Sequence, residues 1–369
     1  MGRILNVQDF KEIIVGATFL CAGGGGPLSL ALKMLEDLKE MNTDLSVELI
    51  SAEEIGPADL AVSVVCVGSP KVWLETNANL GTGAVNSFKA FKEEYARQGK
   101  SVQYLYPIEI GAVNLFVPLM VAILLDADPK KRPVIIDADG CGRAVPELAT
   151  CLVSARGIVP SPMGLCSGEG DRIIAYPAGN ESAEAIARNI CTAFGMKVGL
   201  CSWVLNRNEI IENLVPNTIT NCQNVGKMLL TAQEFGGDIF AEMSKTMEIR
   251  PICHGRVLDI ESKSEGGFDF GTTTIADDNG NLYYIDFQNE NILMRDGAGK
   301  VLLTVPELIC VLETDTYRPL TNAEMKKDMN ISVAFMPAYH QWWNEDKKAY
   351  RCWEHVLRDI LYEGEMVRY

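Results

Sequence analysis

The chain has 369 residues, of which 47% are hydrophobic, so it is long enough for two folded domains with a substantial core. Its 33 basic and 49 acidic residues give a formal net charge of -16, which argues against binding to nucleic acid or to anionic membranes. The first residues contain no signal-peptide pattern, and no apolar run is long enough for a spanning helix. The eleven cysteines form no CxxC pair. We therefore expect a cytoplasmic protein.

Strand and helix patterns alternate over roughly the first 205 residues. The predicted strands are Leu45–Ser51, Leu60–Gly68, Ser101–Ile110, Arg132–Asp139, Asp171–Pro177 and Lys197–Leu205. The predicted helices between them are Pro27–Lys39, Ala84–Arg97, Ala112–Leu125 and Ser182–Phe194. Several of the strands are almost continuously apolar, as expected when both faces of a sheet are covered. The alternation predicts an α/β fold, with a mostly parallel or mixed sheet and helices on both faces.

The pattern changes in the second half of the chain. A helical stretch, roughly 225–246, is followed by short strand patterns that are separated by turn signals such as DDNGN and RDGAGK. We predict an N-terminal α/β domain over residues 1–170 and a C-terminal domain over residues 171–369. The C-terminal domain is predicted to contain an α/β and helical part to about residue 247, a β-rich module over about 248–340, and a helix over about 345–362.

Four consecutive glycines, Gly23, Gly24, Gly25 and Gly26, follow a helical pattern for which Asp9 is the predicted N-cap. Dinucleotide and P-loop fingerprints need a strand before the loop, and neither a third spaced glycine nor GK[ST] follows here, so ATP or NAD binding is disfavoured. A tight turn is one interpretation. Four glycines exceed what a turn needs, so we favour a ligand or anion site of bare backbone N–H groups at a helix N-terminus.

Asp137 and Asp139 end an apolar strand within IDADGCGRAVPEL. Ligands of open α/β sheets bind at the carboxyl ends of strands, where a D-x-D could hold a hard cation or act in acid–base chemistry. N-capping is the alternative for Asp139. Arg143 could pair with a carboxylate or hold a substrate carbonyl. Cys141 could be a nucleophile, but no histidine lies near it in sequence, so a small turn residue is the preferred interpretation.

Glu109 leaves another strand within PIEIGAVN, and Asn114 opens the next helix. Because the carboxyl ends of the strands form the ligand-binding edge of such a sheet, Glu109 should face Asp137 there. The loop CVGSP, residues 66–70, is expected at this edge as well.

The β-rich module offers weaker candidates. Asn289 and Glu290, in FQNENI, stand on or after a strand, where an ordinary polar turn is an equally good interpretation. His254, beside Cys253, is the best soft metal ligand, although a lone histidine is more often structural.

Six segments occur in a fixed order along the chain: GGGGP, PIEIGAVN, IDADGCGRAVPEL, HGRVLDIESKSEGGFDFGT, FQNEN and VPELICVLETDTYRPL. This ordered set resembles the S-methyl thiohydantoin desulfurase family over about residues 8–345. No single motif is decisive, but the order is fairly specific. The resemblance implies an α/β N-terminal domain followed by a C-terminal domain. It also implies hydrolytic removal of a sulfur substituent from the carbon between the two ring nitrogens of a thiohydantoin, with hydantoin-like cyclic amides as neighbouring substrates.

We predict that Asp137 or Asp139 activates water, directly or through a divalent metal such as zinc for which His254 is a further ligand. Arg143 and the glycine-loop amides would stabilise negative charge, while Glu109 would protonate the leaving group. Asn114, Asn289 and Glu290 are predicted substrate contacts.

Two other functions are alternatives to the hydrolase. One is a non-catalytic accessory subunit of an ATP-dependent hydantoinase, and the other is a small-ligand or nucleotide-binding protein. No NAD or flavin is expected. We expect a homo-oligomer, because the C-terminal region is rich in aromatic residues, and a hydantoinase is a conceivable partner.

Overall fold

The computed structural model describes residues 2–41, 44–68 and 80–369. Its strands are β1 (Arg3–Leu5), β2 (Val47–Ile50), β3 (Leu60–Gly68), β4 (Val102–Tyr106), β5 (Val134–Ile136), β6 (Ala138–Asp139), β7 (Met163–Cys166), β8 (Arg172–Ala175), β9 (Lys197–Asn206), β10 (Val215–Pro216), β11 (Arg250–Glu265), β12 (Phe268–Asp277), β13 (Leu282–Gln288), β14 (Glu290–Asp296), β15 (Val301–Thr304), β16 (Leu308–Glu313) and β17 (Asn330–Met336). Its α-helices are α1 (Val7–Leu20), α2 (Leu28–Glu40), α3 (Leu80–Arg97), α4 (Ala112–Leu125), α5 (Leu152–Ala155), α6 (Asn180–Ala193), α7 (Arg207–Asn213), α8 (Thr218–Phe235), α9 (Ile239–Met243) and α10 (Glu354–Asp359).

The first sheet has the strand order β1-β2-β5-β4-β3-β9-β7-β8. Strands β2, β5, β4 and β3 are parallel to one another, and the strands flanking them pair antiparallel. Apolar cores cover both faces. On β4, Leu105 joins the core that contains α1, α2 and α4, whereas Tyr106 joins the opposite core, which contains α6. The predicted mixed α/β sheet with helices on both faces is therefore confirmed.

The second sheet is entirely antiparallel, in the order β15-β14-β13-β12-β11-β17-β16. It is the predicted β-rich module, and its own core contains Val257, Ile285 and Val333. The first sheet contains strands from both sides of residue 170, where we predicted the N-terminal domain to end. Strands β1 to β5 and β7 precede this residue, and β8 and β9 follow it. The C-terminal segment is α-helical only over Glu354–Asp359, and two 3-10 turns precede this helix where a longer one was predicted.

Several element boundaries differ from those predicted. Asn6, rather than Asp9, caps α1, because the Asn6 side chain accepts from the first helical N–H groups while Asp9 accepts from the Asn6 N–H. The predicted strand Ser101–Ile110 ends at Tyr106, immediately before a proline, and the strand predicted to reach Asp139 divides into β5 and β6. Helix α8 begins at Thr218 and ends before Gly236, whose φ of 72° breaks the helix.

Helices α1 and α8 cross at glycines. A Cβ atom on Gly16 would lie 1.7 Å from the carbonyl oxygen of Cys222, and one on Gly226 would lie 1.7 Å from that of Glu12. The two backbones are therefore in direct contact. The most apolar helix, α4, has 14 residues. Among the described residues, no helix is long and apolar enough to cross a membrane.

Candidate functional site

The glycine loop joins α1 to α2, as predicted, and each of its four residues is packed too closely to carry a side chain. A Cβ on Gly25 would lie 2.4 Å from the Cα of Gly111, and Gly25 has a φ of 67°, which favours glycine. The Gly25 carbonyl accepts from the Val113 N–H at 3.1 Å. The loop is thus fixed against the start of α4, close to the residues that follow β4.

The N-terminus of α2 already binds a carboxylate from elsewhere in the chain. Glu324 accepts from the backbone N–H groups of Leu28 and Ser29, at 3.1 and 3.3 Å, and forms an ion pair with Arg318. A carboxylate is the charge that a helix N-terminus prefers. The helix end that we expected to hold a ligand anion is therefore occupied by the protein itself, and the sequence contained no signal for this long-range contact.

Glu290 lies directly against the glycine loop. A Cβ on Gly24 would lie 1.9 Å from its Oε1, so only glycine lets this carboxyl approach the backbone. The side chain is 3% exposed, and Oε2 has no hydrogen-bond partner among the described residues. Burial, reinforced by the nearby charge of Glu109, raises the pKa of Glu290 to about 8. This residue is therefore poised to carry a proton at neutral pH.

Glu109 is the second buried carboxyl at this site. Its Oε1 accepts from the Asn114 side chain at 2.7 Å, and its Oε2 accepts from the Val145 N–H at 2.8 Å. Burial raises the pKa of Glu109 to about 7, although these two hydrogen bonds and Arg143 oppose the shift. The structure thus brings together the predicted residues Glu109, Asn114 and Glu290 beside the glycines.

The Arg143 guanidinium is close enough to the two carboxyls to affect their charge, but its hydrogen bonds go to backbone carbonyls. It is fully buried and donates to Ala144, Pro306, Glu307 and Asn291, at 2.6 to 3.1 Å. It also lies 4.9 Å from the centre of the Trp353 ring. Its charge lowers the pKa of both Glu109 and Glu290. Arg143 therefore acts on the site electrostatically while it joins the first sheet to the second.

The two aspartates of the D-x-D have different partners. Residues two apart on one strand would share a face, but Asp137 lies between β5 and β6, where the strand is interrupted. The Asp137 carboxylate accepts from the backbone N–H and the hydroxyl of Thr220, at the start of α8. The Asp139 carboxylate accepts from the N–H groups of Cys141 and Gly142, at 2.9 and 2.8 Å. Burial raises the pKa of Asp139 to about 7. Both carboxylates therefore bind backbone N–H groups of this chain.

The Cys141 thiol is completely buried. Burial raises its pKa well above the usual value, which disfavours the thiolate that a nucleophile needs.

The residues predicted to bind a metal do not form a donor set. Asp137 and Asp139 are bonded to separate groups, and His254 lies on β11 of the other sheet, where its Nδ1 is 2.7 Å from the Ser332 hydroxyl. Within 2–41, 44–68 and 80–369, no three His, Cys, Asp or Glu side chains are grouped to hold a metal ion. A zinc site would need three or four such ligands.

Asparagines connect the glycine loop to the second sheet. Asn291 donates to the Ala22 carbonyl from its backbone, and Asn322 donates to the Gly23 carbonyl in the same way. The Asn322 amide also donates to the side-chain oxygen of Asn291 and to the carbonyl of Asn289, whose own side chain turns away to accept from the Asp269 N–H. Sequence reasoning missed Asn322, because only tertiary contact brings it to the loop. The predicted loop 66–70 lies partly outside the described residues.

Comparison with known proteins bears on the family and on the fold. Residues 8–176 match the N-terminal domain of the S-Me-THD-like family, and residues 178–353 match its C-terminal domain. No curated protein matches the chain significantly. A crystal structure of a protein from Chromobacterium violaceum has the same fold, with a TM-score of 0.81, 21% identity and 99% coverage of both chains. The two domain matches together span nearly the whole chain, which therefore belongs to the S-Me-THD-like family, the S-methyl thiohydantoin desulfurase family that its ordered motifs indicated.

Proposed function

We propose that this protein is a hydrolase that removes the sulfur substituent of a thiohydantoin ring, with Glu109 and Glu290 as its acid–base pair. One observation carries the proposal: two buried carboxyls beside a side-chain-free loop have pKa values raised to about 7 and about 8. Groups tuned in this way match the needs of proton transfer near neutral pH. Membership of the S-Me-THD-like family supports the ring as the substrate.

In the proposed reaction, water adds to the ring carbon between the two nitrogens, and Glu109 takes one of its protons. The C=N bond opens as water adds, so that the ring nitrogen takes the negative charge. The second proton of the water then moves from the new hydroxyl to this nitrogen, the C–O bond becomes a carbonyl as the C–S bond breaks, and Glu290 delivers its proton to the departing sulfur. Transfer of the proton from Glu109 to Glu290 restores the starting state. The two hydrogen bonds that Glu109 accepts favour its charged form and suit it to be the base, while the raised pKa of Glu290 suits it to be the acid. This assignment replaces the aspartates with Glu109 as the water-activating group.

The glycine loop is suited to stabilise the negative charge that develops on the ring. The N–H groups of Gly24 and Gly26 donate to no described residue. Bare amides that are already positioned beside the reacting atoms stabilise a transition state without having to reorganise. Gly25, Gly26, Asn114 and Val145, which lie around the two carboxyls, are each half-buried.

The test measures thiol release from an S-methyl thiohydantoin by the purified protein. We expect Glu290→Gln and Glu109→Gln to lower kcat by about a hundredfold or more, because each removes a proton-transfer group. The matched control is Glu307→Gln. Glu307 is also buried, but its carboxylate accepts from Ala338 and Trp343 away from the loop. Wild-type activity in Glu290→Gln would overturn the assignment, and no turnover by the wild-type protein would overturn the function.

A further inference from the structure

Gln288, the last residue of β13, is a completely buried side chain that has no hydrogen bond. Neither Oε1 nor Nε2 has a partner among the described residues. Buried amides in folded proteins are almost always satisfied, because an unpaired buried donor or acceptor is destabilising. An amide with both of its ends unpaired therefore indicates that something outside the chain completes it.

The strand register places Gln288 beside the acid–base pair. Gln288 pairs with Glu290 across the β13–β14 ladder and with Phe270 across the β12–β13 ladder. Directly paired residues of antiparallel strands point to the same face of the sheet, with Cβ atoms about 4.5–5.5 Å apart. The three side chains therefore share one face, on which Phe270 is half-buried. An aromatic ring, an unpaired amide and a protonated carboxyl lie side by side.

Further unpaired atoms adjoin this face. Glu290 Oε2, Asn114 Oδ1 and Asn322 Oδ1 are buried and have no hydrogen bond to any described residue. Asn114 bonds to Glu109, and Asn322 bonds to the segment that carries Glu290, so these atoms belong to the same site. The two asparagine oxygens need hydroxyl or N–H donors, whereas the protonated Glu290 carboxyl can itself donate. The site therefore calls for a ligand that carries N–H donors beside a hydrogen-bond acceptor.

We propose that Gln288 is the specificity-determining residue that recognises the amide edge of a planar ring held between Glu290 and Phe270. Gln288 Oε1 accepts from a ring N–H, and Nε2 donates to the adjacent ring carbonyl. A cyclic imide or ureide presents these two groups side by side, in the geometry that a primary amide matches with two hydrogen bonds. Phe270 provides a flat apolar surface for the ring. This inference rests on the proposed function, because it names the substrate contact at the same site.

The recognition predicts selectivity against rings whose nitrogens are blocked. A site that is built to hydrogen-bond a ligand strongly rejects an analogue that lacks the matching group, because its own buried atoms are then left unpaired. Hydantoin keeps both ring N–H groups, whereas 1,3-dimethylhydantoin has none. The wild-type protein should therefore bind hydantoin at least about tenfold more tightly, which corresponds to one lost hydrogen bond.

The experiment measures the Kd of both probes by calorimetry and the Tm of the ligand-free protein, for the wild type and three variants. Gln288→Met has a similar volume and no polar atoms. It should raise the ligand-free Tm and abolish the preference for hydantoin. Gln288→Glu places a third buried carboxyl beside Glu290, which burial should keep protonated; with one donor and one acceptor it should retain the preference for hydantoin over 1,3-dimethylhydantoin. The control is Gln341→Met, because Gln341 is another buried glutamine with an unpaired oxygen, and its Kd values should match the wild type.

The inference is overturned if the wild type does not prefer hydantoin, if Gln288→Met keeps that preference, or if Gln288→Met lowers the ligand-free Tm. These results are independent of turnover. A protein that prefers hydantoin through Gln288 but releases no thiol would retain the recognition site and lose only the proposed reaction.

Discussion

Glu109 and Glu290 lie in the same buried site but differ in how their oxygens are satisfied. Both oxygens of Glu109 accept hydrogen bonds, whereas Glu290 keeps one oxygen free of any described partner. Burial is the main cause of the raised pKa of both residues, and the nearby charge of Glu109 adds to it at Glu290. The two carboxyls therefore share a desolvated environment that disfavours charging both at once.

The raised pKa of Glu290 predicts how stability depends on pH. The folded state holds this proton more tightly than the unfolded state, so the free energy of unfolding should fall as the pH rises from about 5 to about 8. Glu290→Gln cannot bind this proton, so its free energy of unfolding should decrease less over the same pH range. Urea unfolding at several pH values measures the free energy of unfolding for both proteins. Glu234→Gln, on an exposed position of α8, should keep the wild-type slope. Equal slopes in the wild type and Glu290→Gln would contradict the prediction.

Helices and strands could be predicted from the sequence where the local pattern of apolar residues and turn residues determines them. Periodicity and turn signals predicted the helix–glycine–helix order, the alternating first sheet and the β-rich module. Glu109 followed from the rule that sites lie at strand ends. Contacts between distant segments could not be predicted, because they depend on tertiary packing. Glu324 at the start of α2, the carbonyl partners of Arg143 and the pairing of Asn322 with Gly23 belong to this group.

The crossing of α1 and α8 depends on the absence of side chains at Gly16 and Gly226. Gly226→Ala should lower the free energy of unfolding by about 3 kcal/mol or more, because its Cβ would overlap the Glu12 carbonyl and force the helices apart. Chemical denaturation measures the change. Gly168→Ala is the control, since its Cβ would meet no atom within 4 Å. If both variants were equally stable, the close helix contact would be refuted.

At the scale of the whole molecule, residues from both halves of the chain form the site. The glycine loop lies between α1 and α2 and Glu109 follows β4, whereas Glu290 begins β14 and Asn322 lies in the connection from β16 to β17. Arg143, which follows β6, donates to the carbonyls of Pro306, Glu307 and Asn291 in the C-terminal part. Bringing Glu109 and Glu290 together is thus coupled to docking of the C-terminal part against the N-terminal part.

Arg143→Met should lower the free energy of unfolding by about 3 kcal/mol or more, because it leaves several buried carbonyls unpaired. It should also abolish activity, since the two carboxyls would no longer be held together. Denaturation and thiol release measure the two effects. Arg256→Met, at an exposed ion pair with Asp328, should change stability by less than about 1 kcal/mol. A stable and active Arg143→Met protein would show that docking does not need this residue.

The carboxylate of Glu324 at the start of α2 has a consequence for the choice of substrate. A helix N-terminus beside a glycine run would normally attract phosphate groups, but here the positive end of the dipole is already neutralised from within the chain. In the proposed reaction, the amides of the glycine loop would then serve an uncharged ring that acquires its charge only as water adds. The first N–H groups of α2, which a nucleotide phosphate would otherwise use, are taken by Glu324.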